Sequence, residues 1–593
     1  MRELEYPFDA GWILSNKRKI RKALIAEKGS FIEKKVAVLG GSTTAGIVQI
    51  LDLFLLNDGI RASFYESEYG RYYEDSVFEN EALSSFKPDI VYIFTSNRNV
   101  TAYPSLENTQ EEISRLLDAQ MEKFISIWEH LSNTYACPII QNNFEMPLFR
   151  LLGNKDVSDI HGAGNFLSRL NSRFYEYAQI HEDFFICDIN YISADYGLKE
   201  WSDPFYWHMY KIALNVSAVP YLAFNVANII KSIFGKNKKG FVLDLDNTLW
   251  GGVIGDDGVD GIEIGPETPA GQVYEEFQHY LKAHKQLGVL LNVDSKNDEE
   301  NALSGLKHPD SLLSEEDFVE IRANWEPKDR NFVEIAKALN ILPESLVFVD
   351  DNPAERHLVR EQLAGVSVPE IGQSHQFIQN IDRSGFFEVT YLSKDDLKRS
   401  EMYRENAMRS KLQASFSDYG DYLRSLEMEA EIKPFESLYM ARIAQLTNKS
   451  NQFNLTTKRY TQGEIEALSE DPAYITLYGR LKDRFGDNGV VSVCIGRTEG
   501  LICHMELWLM SCRVLKRDME YAMMDALVHY CRRAGISEIR GYFFPTAKNG
   551  MVKDFYQTMG FQKLSQDEKG SIWSFLVEPE YQNKNRYIAV EAE

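Results

Sequence analysis

The residues best placed to do chemistry stand in the stretch 241–252, FVLDLDNTLWGG. An apolar run at 241–243 reads as a buried strand that ends in Asp244 and Asp246, with Thr248 two residues further on. Side chains alternate along extended backbone, so Asp244 and Asp246 point the same way just past a strand end. The carboxyl ends of strands are where open α/β sheets bind ligands. Two such carboxylates suit Mg²⁺, a hard cation that takes oxygen ligands. A carboxylate can also attack phosphorus to give an aspartyl-phosphate, leaving its neighbour as general acid and base. Partners follow in order: GVLLNVDSKND puts Ser295 after a strand at 289–293, WEPKDRNF supplies Lys328, and LVFVDDNPAER puts Asp350 and Asp351 after a strand at 346–349. A hydroxyl and an ammonium can hold transferring phosphoryl oxygens, and the added carboxylates complete a metal site. An isolated Asp-x-Asp is more often a solvated turn, but four ordered motifs over about 110 residues reverse that balance.

Together these motifs resemble those of the haloacid dehalogenase (HAD) superfamily of phosphotransferases. The resemblance implies Asp244 as nucleophile, Asp246 as acid/base, and Thr248, Ser295 and Lys328 as phosphoryl-binding residues. It also implies Mg²⁺ held by Asp244, by Asp246 through its backbone carbonyl, and by Asp350 supported by Asp351. Only 46 residues lie between Thr248 and Ser295, and 32 between Ser295 and Lys328. Neither interval holds the large cap domain that closes over small substrates in many relatives. An open site is expected, fitted to a phosphoryl group on something large, such as a protein-tethered arm, or roofed by the chain's own flanking domains.

Longer segments narrow the resemblance: DLDNTLWGGVIGDDG, SKND, FVDDNPAER, QLTNKSNQFNLTTKRY (445–460) and LWLMSCRVLKRDMEYA (507–522). From about residue 35 to 570 the chain resembles the FkbH-like proteins. These are associated with dephosphorylating 1,3-bisphosphoglycerate and loading the glyceryl unit onto the phosphopantetheine thiol of an acyl carrier protein, in polyketide and surface-polysaccharide gene sets. The resemblance implies an acyl phosphate or phosphoglyceryl substrate, free or carrier-tethered, and an acyl carrier protein as partner. FkbH-type sequences commonly have Cys immediately before the Ser of SKND. Here that position is Asp294, and no Cys lies between residues 188 and 493. A carboxylate cannot form the thioester, so phosphatase chemistry is expected to remain while thioester transfer is lost or relocated. The other reading of Asp294 is an exposed charge beside the metal site.

VAVLGGSTTAGI sets Ser42 after a short strand and IVYIFTSNRN sets Asn97 after another. This resembles an SGNH-hydrolase-like domain, with Ser42 as nucleophile, Gly70 and Asn97 as oxyanion donors and Asp203 and His208 as the final pair. That pair is five residues apart instead of three, off one helical face. A structural or partner-binding role is therefore expected, with Ser42 as a turn or N-cap residue. Residues 430–575 resemble the N-acetyltransferase (GNAT-like) fold, including FYQTMGF, where Tyr556 precedes Gly560. Active members use a Gly-containing loop before a helix to bind the pyrophosphate of coenzyme A. The equivalent VLKRDMEYA (514–522) has no Gly, and Asp518 and Glu520 repel an anion that Lys516 and Arg517 only partly attract. A scaffold or carrier-binding role is expected, with Cys512 and Tyr556 as candidates for any surviving chemistry; the plainer reading of Cys512 is a small buried hydrophobe.

The elements that must position these residues fall into three α/β domains and a connector. FGKNKKG (234–240) separates an apolar helical pattern at 219–233 from the strand at 241, and Ser393 and Asp396 open a charged helical stretch, 397–426. The expected organisation is a flavodoxin-like SGNH sheet (1–235), a capless Rossmann-like HAD domain (236–392), a helical connector (393–429) and a GNAT-like domain (430–593). Length agrees, since 593 residues at about 150 per domain allow four cores. The net charge of −24 argues against nucleic acid and anionic membrane as partners. Six scattered Cys form neither a disulfide framework nor a metal pattern. With no run of 18 apolar residues and no signal-like start, a cytoplasmic protein is expected. The two function classes left are a Mg²⁺-dependent HAD phosphatase and a multidomain interaction scaffold with vestigial SGNH and GNAT sites.

Overall fold

The computed structural model describes residues 1–27, 31–392, 397–450, 452–546 and 548–591. The chain forms two compact units: Met1–Ile233 with Glu388–Tyr391, and Phe234–Phe387 with Leu392–Glu593.

The first unit is built on five parallel strands, β1 (Ile32–Gly40), β2 (Ile60–Glu66), β3 (Ile90–Phe94), β4 (Ile139–Asn142) and β5 (Phe184–Cys187), in the order β2-β1-β3-β4-β5. This is the doubly wound arrangement whose strand order reverses between β1 and β3. Strand β3 is buried along its whole length, as the unbroken apolar run IVYIF requires. The 26-residue helix Gln110–Tyr135 starts in a capping box between Thr109 and Glu112 and lays Phe124, Ile127 and Trp128 against Phe144, Phe174 and Phe184. The window Val216–Ile233 is long and apolar enough to cross a membrane by length and composition, yet 72% of it is buried within the structure. Asn225 and Asn228 interrupt it, which is why it does not read as a continuous apolar run.

The second unit carries two sheets. Four parallel strands, β6 (Gly240–Leu243), β7 (Leu290–Ser295), β8 (Glu320–Ala323) and β9 (Leu346–Val349), lie in the order β8-β7-β6-β9. Order therefore reverses between β6 and β9. Strands β6 and β9 are wholly buried between Phe277, Leu281 and Ile381 on one face and Phe332, Ile335 and Val359 on the other. The other sheet has eight strands, β10 (Met428–Lys433), β11 (Tyr474–Asp483), β12 (Gly486–Glu499), β13 (Ile502–Met510), β14 (Glu538–Phe543), β15 (Gln562–Gln566), β16 (Ser571–Leu576) and β17 (Ile588–Val590). Its order is β15-β16-β14-β13-β12-β11-β10-β17, with the helix Met519–Arg533 against it. The charged stretch expected to be helical forms helices Arg399–Ala414 and Tyr419–Ser425.

Candidate active site

Asp244 extends β6 by one residue, its N–H donating to Val349 O (2.9 Å), so its carboxylate stands at the reversal between β6 and β9. Asp350 and Asp351 follow β9 directly, and Asp244, Asp350 and Asp351 each offer an oxygen within 4.8 Å of the others. Lys328, the first residue of the helix Lys328–Ala338, reaches into this group: its Nζ lies 2.8 Å from Asp244 Oδ1 and 2.5 Å from Asp350 Oδ2. Burial alone would lower the Lys328 ammonium, but Asp244 and Asp350 outweigh it and hold it charged above the usual lysine range. Burial first, and Asp244 second, push Asp350 up to about 6 and raise Asp351 as well. Three carboxylates converging on one point are a fitting oxygen donor set for Mg²⁺.

Asp246 is held by donors on both oxygens. Trp250 Nε1 (2.9 Å) and the Ile254 N–H (3.1 Å) donate to Oδ1, and Asn297 Nδ2 donates to Oδ2 at 3.1 Å. Burial outweighs these bonds and raises its pKa, which favours a proton there. Asn247, immediately after Asp246, takes φ 54° and accepts the Gly252 N–H, making the tight turn that folds Trp250 back onto Asp246. Thr248 is buried, and its Oγ1 accepts the Asp351 N–H, tying the first motif to the last. Ser295 closes β7, buried on the same edge. The structure therefore brings together Asp244, Asp246, Thr248, Ser295, Lys328, Asp350 and Asp351.

Sequence reasoning missed three supporting residues. Asn297 lay inside SKND, but its role appears only where the chain turns back toward Asp246. Arg356 donates to the carbonyls of Asp350 (2.8 Å) and Asp351 (2.7 Å) and is itself held by Glu370. Asn331, one turn after Lys328, donates to Asp294 Oδ1 at 3.1 Å. Asp294 is thus not an exposed charge, which corrects that reading: it is fully buried, and its Oδ2 is enclosed without a hydrogen-bond partner. Burial pushes its carboxyl up to about 8, against the pull of Lys328, so it is mostly protonated at neutral pH.

The N-terminal constellation is not assembled as a hydrolase site. Ser42 Oγ is enclosed and without a partner, so neither a base nor solvent reaches it. Asn97 directs its amide to the carbonyls of Glu145 and Met146, while Asn99 donates to Gly41 O beside Ser42. Gly70 lies in an exposed turn. Asp203 caps its own short helix by accepting the Phe205 N–H, and His208 is exposed.

In the C-terminal sheet, parallel strands β13 and β14 pair only over Ile502–His504 and Glu538–Arg540. Beyond that they part, and a segment of the 445–460 motif fills the gap: the Leu455 N–H donates to Trp508 O, the Phe544 N–H donates to Leu455 O, and the Met510 N–H donates to Phe453 O. The loop before the helix Met519–Arg533 adopts left-handed backbone at Lys516 (φ 63°) and Asp518 (φ 69°). Its Lys516 N–H is taken by Glu520 Oε1 at 2.9 Å, and Tyr419 donates to Lys516 O. Asp518 accepts the N–H groups of Arg586 and Tyr587. Tyr556 is buried among Phe555, Phe561 and Trp573. The side chain of Cys512 lies outside the described residues.

A family model described as FkbH, N-terminal domain, matches residues 35–231. The solved N-terminal part of the protein BF1531 from Bacteroides fragilis, described as containing a phosphatase domain and complexed with Mg, is 30% identical, with a TM-score of 0.59 over 63% of this chain and 99% of that one. The ribosomal-protein-S18-alanine N-acetyltransferase from Escherichia coli is 11% identical over 27% of this chain and 99% of its own, TM-score 0.20. An acetyltransferase of the GNAT family from Streptococcus pneumoniae is 13% identical over 25% and 100%, TM-score 0.21. A comparison with curated proteins gives no match.

Proposed function

The chain belongs to the FkbH family, and from that premise we propose that its central domain is a Mg²⁺-dependent HAD-type phosphatase acting through an aspartyl-phosphate. The observation that carries this reading is the convergence of Asp244, Asp350 and Asp351 on one point, with Lys328 among them and Asp246 beside them under separate control. Asp244, Asp350 and Asp351 would hold the cation, which when bound polarises the phosphoryl oxygens and offsets their charge. Asp244, paired with Lys328, attacks phosphorus. Lys328 and Ser295 clamp the transferring oxygens in the absence of solvent, where such contacts count most. Asp246, its proton favoured by burial, delivers it to the leaving oxygen and afterwards takes one from the attacking water. Two carboxylates of different environment thus take different parts.

The finer reading is an acyl phosphate or phosphoglyceryl substrate, presented free or on an acyl carrier protein in the cytoplasm. Asp294 supports hydrolysis over thioester retention, because a protonated carboxyl in place of a thiol has no acyl-transfer chemistry to offer. The enclosed Ser42 and the filled gap between β13 and β14 favour binding or positioning roles for the flanking domains. With Mg²⁺, the purified protein should release phosphate from an aryl phosphate, and removing Mg²⁺ or substituting Asp244→Asn should lower the rate at least 100-fold, on the order of a lost electrostatic or nucleophilic group. Metal-independent turnover, or an undiminished Asp244→Asn variant, would refute the reading.

A further inference from the structure

Trp325 is the exposed exception among the eight tryptophans of the chain, with 70% of its surface in solvent. It follows β8 by two residues and precedes Lys328 by three. Ala323 pairs with Ser295 in the β7–β8 register, so Trp325 lies on the same sheet edge as the phosphoryl-binding residues. A large apolar side chain left in water forgoes the stabilisation that burial supplies, and here it is fixed there. Its Nε1 donates to Asp298 Oδ1 at 2.9 Å. Asp298 occupies the N-cap position of the helix Glu299–Gly305, yet makes no capping bond with its side chain. An Asp at that position ordinarily accepts from the helix's own N–H groups; this one holds the indole instead.

The tether leads directly to the acid. Asn297, the neighbour of Asp298, donates to Asp246 Oδ2. In the phosphatase reading Asp246 protonates the leaving group, so the turn Asn297–Asp298 joins the residue facing that group to the residue holding the indole. The longest element in the two intervals around Ser295 is the 18-residue helix Pro269–Gln286, which packs Tyr274, Phe277 and Leu281 into the core of the sheet, so no inserted domain covers that group.

We propose that Trp325 is a specificity-determining platform on which the leaving group of the phosphorylated substrate lays a ring face, aromatic or sugar. This rests on the phosphatase reading alone, and it replaces the acyl phosphate or phosphoglyceryl substrate of the finer reading with a ring-bearing phosphate. An indole fixed by its N–H presents a rigid, flat, apolar face, which rewards offset stacking or C–H contact with another ring and rewards a two- or three-carbon unit little. Asp298 sets the orientation of that face and is a positioning residue.

The test compares wild type and Trp325→Ala on 4-nitrophenyl phosphate, glucose 6-phosphate and acetyl phosphate with Mg²⁺. Expected is a fall of about 5- to 10-fold in the kcat/KM ratio of a ring-bearing substrate to acetyl phosphate, carried by KM, with Trp325→Phe restoring most of it for the aromatic substrate. Loss on the aryl ester alone, or on the sugar ester alone, identifies the ring. A second readout needs no turnover: in Asp244→Asn protein, phenyl phosphate should protect the exposed indole from acrylamide quenching, and the protection should vanish in Asp244→Asn/Trp325→Phe. An unchanged ratio with no protection overturns the proposal, as does a kcat loss equal on all three substrates, which a purely structural Trp325–Asp298–Asn297 link would give. Failure of the phosphatase reading looks different, since Asp244→Asn would then retain activity.

Discussion

Asp294 concentrates what one residue changes in this site. Its folded-state pKa of about 8 lies above the ordinary 3.8, because burial disfavours the carboxylate. Between those values the folded protein keeps a proton that the unfolded chain has lost, so the stability this group contributes is full in acid and is lost as pH rises towards about 8. Asp294→Asn should therefore melt a few degrees above wild type at pH 8.5 and lose that advantage at pH 4, both measured without Mg²⁺; the opposite order would show a carboxylate stabilised by Lys328 instead. The same position tests group transfer. Wild type incubated with an acyl-phosphate donor should release phosphate and leave no hydroxylamine-sensitive acyl adduct in residues 240–390, whereas Asp294→Cys should accumulate one detectable by mass spectrometry. An adduct on wild-type peptides of that region would overturn the hydrolase reading. The cluster of Asp244, Asp246, Asp350 and Asp351 was legible in sequence because each stands just past a strand end, where alternation fixes direction, whereas Lys328 reaches it from the start of a helix. Burial of Asp294 and the Arg356 hold on Asp350 were not, since both arise from residues brought in by other elements.

At the scale of elements, the C-terminal fold was legible but its filling was not. Alternating and unbroken apolar runs mark β12 and β13, and the periodicity of 520–533 marks a helix. Nothing in QFNLTT announces that Phe453–Leu455 lies between β13 and β14, because the partners are backbone groups about 50 and 90 residues away. The missing glycine before the helix Met519–Arg533 was legible, and the structure gives it a consequence. Lys516 and Asp518 adopt left-handed backbone at a cost of about 1–2 kcal/mol each, and the Lys516 N–H is neutralised by Glu520, whose burial raises its pKa. An anion would have to displace that carboxyl, and an acyl arm would have to displace Leu455. Isothermal titration with acetyl-CoA should give no binding in the micromolar range, and Glu520→Ala should not restore it, because Leu455 still fills the gap. Saturable micromolar binding to wild type would mean that the segment moves aside.

Across the second unit, the helix Arg399–Ala414 belongs to two cores at once. Near its start, Tyr403 is buried with Val242, Phe332 and Phe348 of the phosphatase sheet, and Ser400 Oγ donates to Val289 O. Near its end, Arg409 forms a bidentate pair with Asp483 at the end of β11 (2.8 and 2.7 Å), to which Arg517 adds a third contact. Arg409 and Asp483 are both almost wholly buried. The charged stretch that reads as a helical connector therefore puts Arg409 into an internal ion network, and the four-stranded and eight-stranded sheets share a structural member. Removing one partner of a buried pair typically costs about 3–5 kcal/mol, since the other charge stays behind uncompensated. Asp483→Ala should lower the melting temperature by several degrees. If the helix couples the two sheets as its contacts indicate, the temperature at which phosphate release is lost should fall with it, although Asp483 lies on the other sheet. Heat inactivation followed beside the unfolding transition decides the matter: an unchanged inactivation temperature with early unfolding of the C-terminal sheet would show that the two parts melt independently.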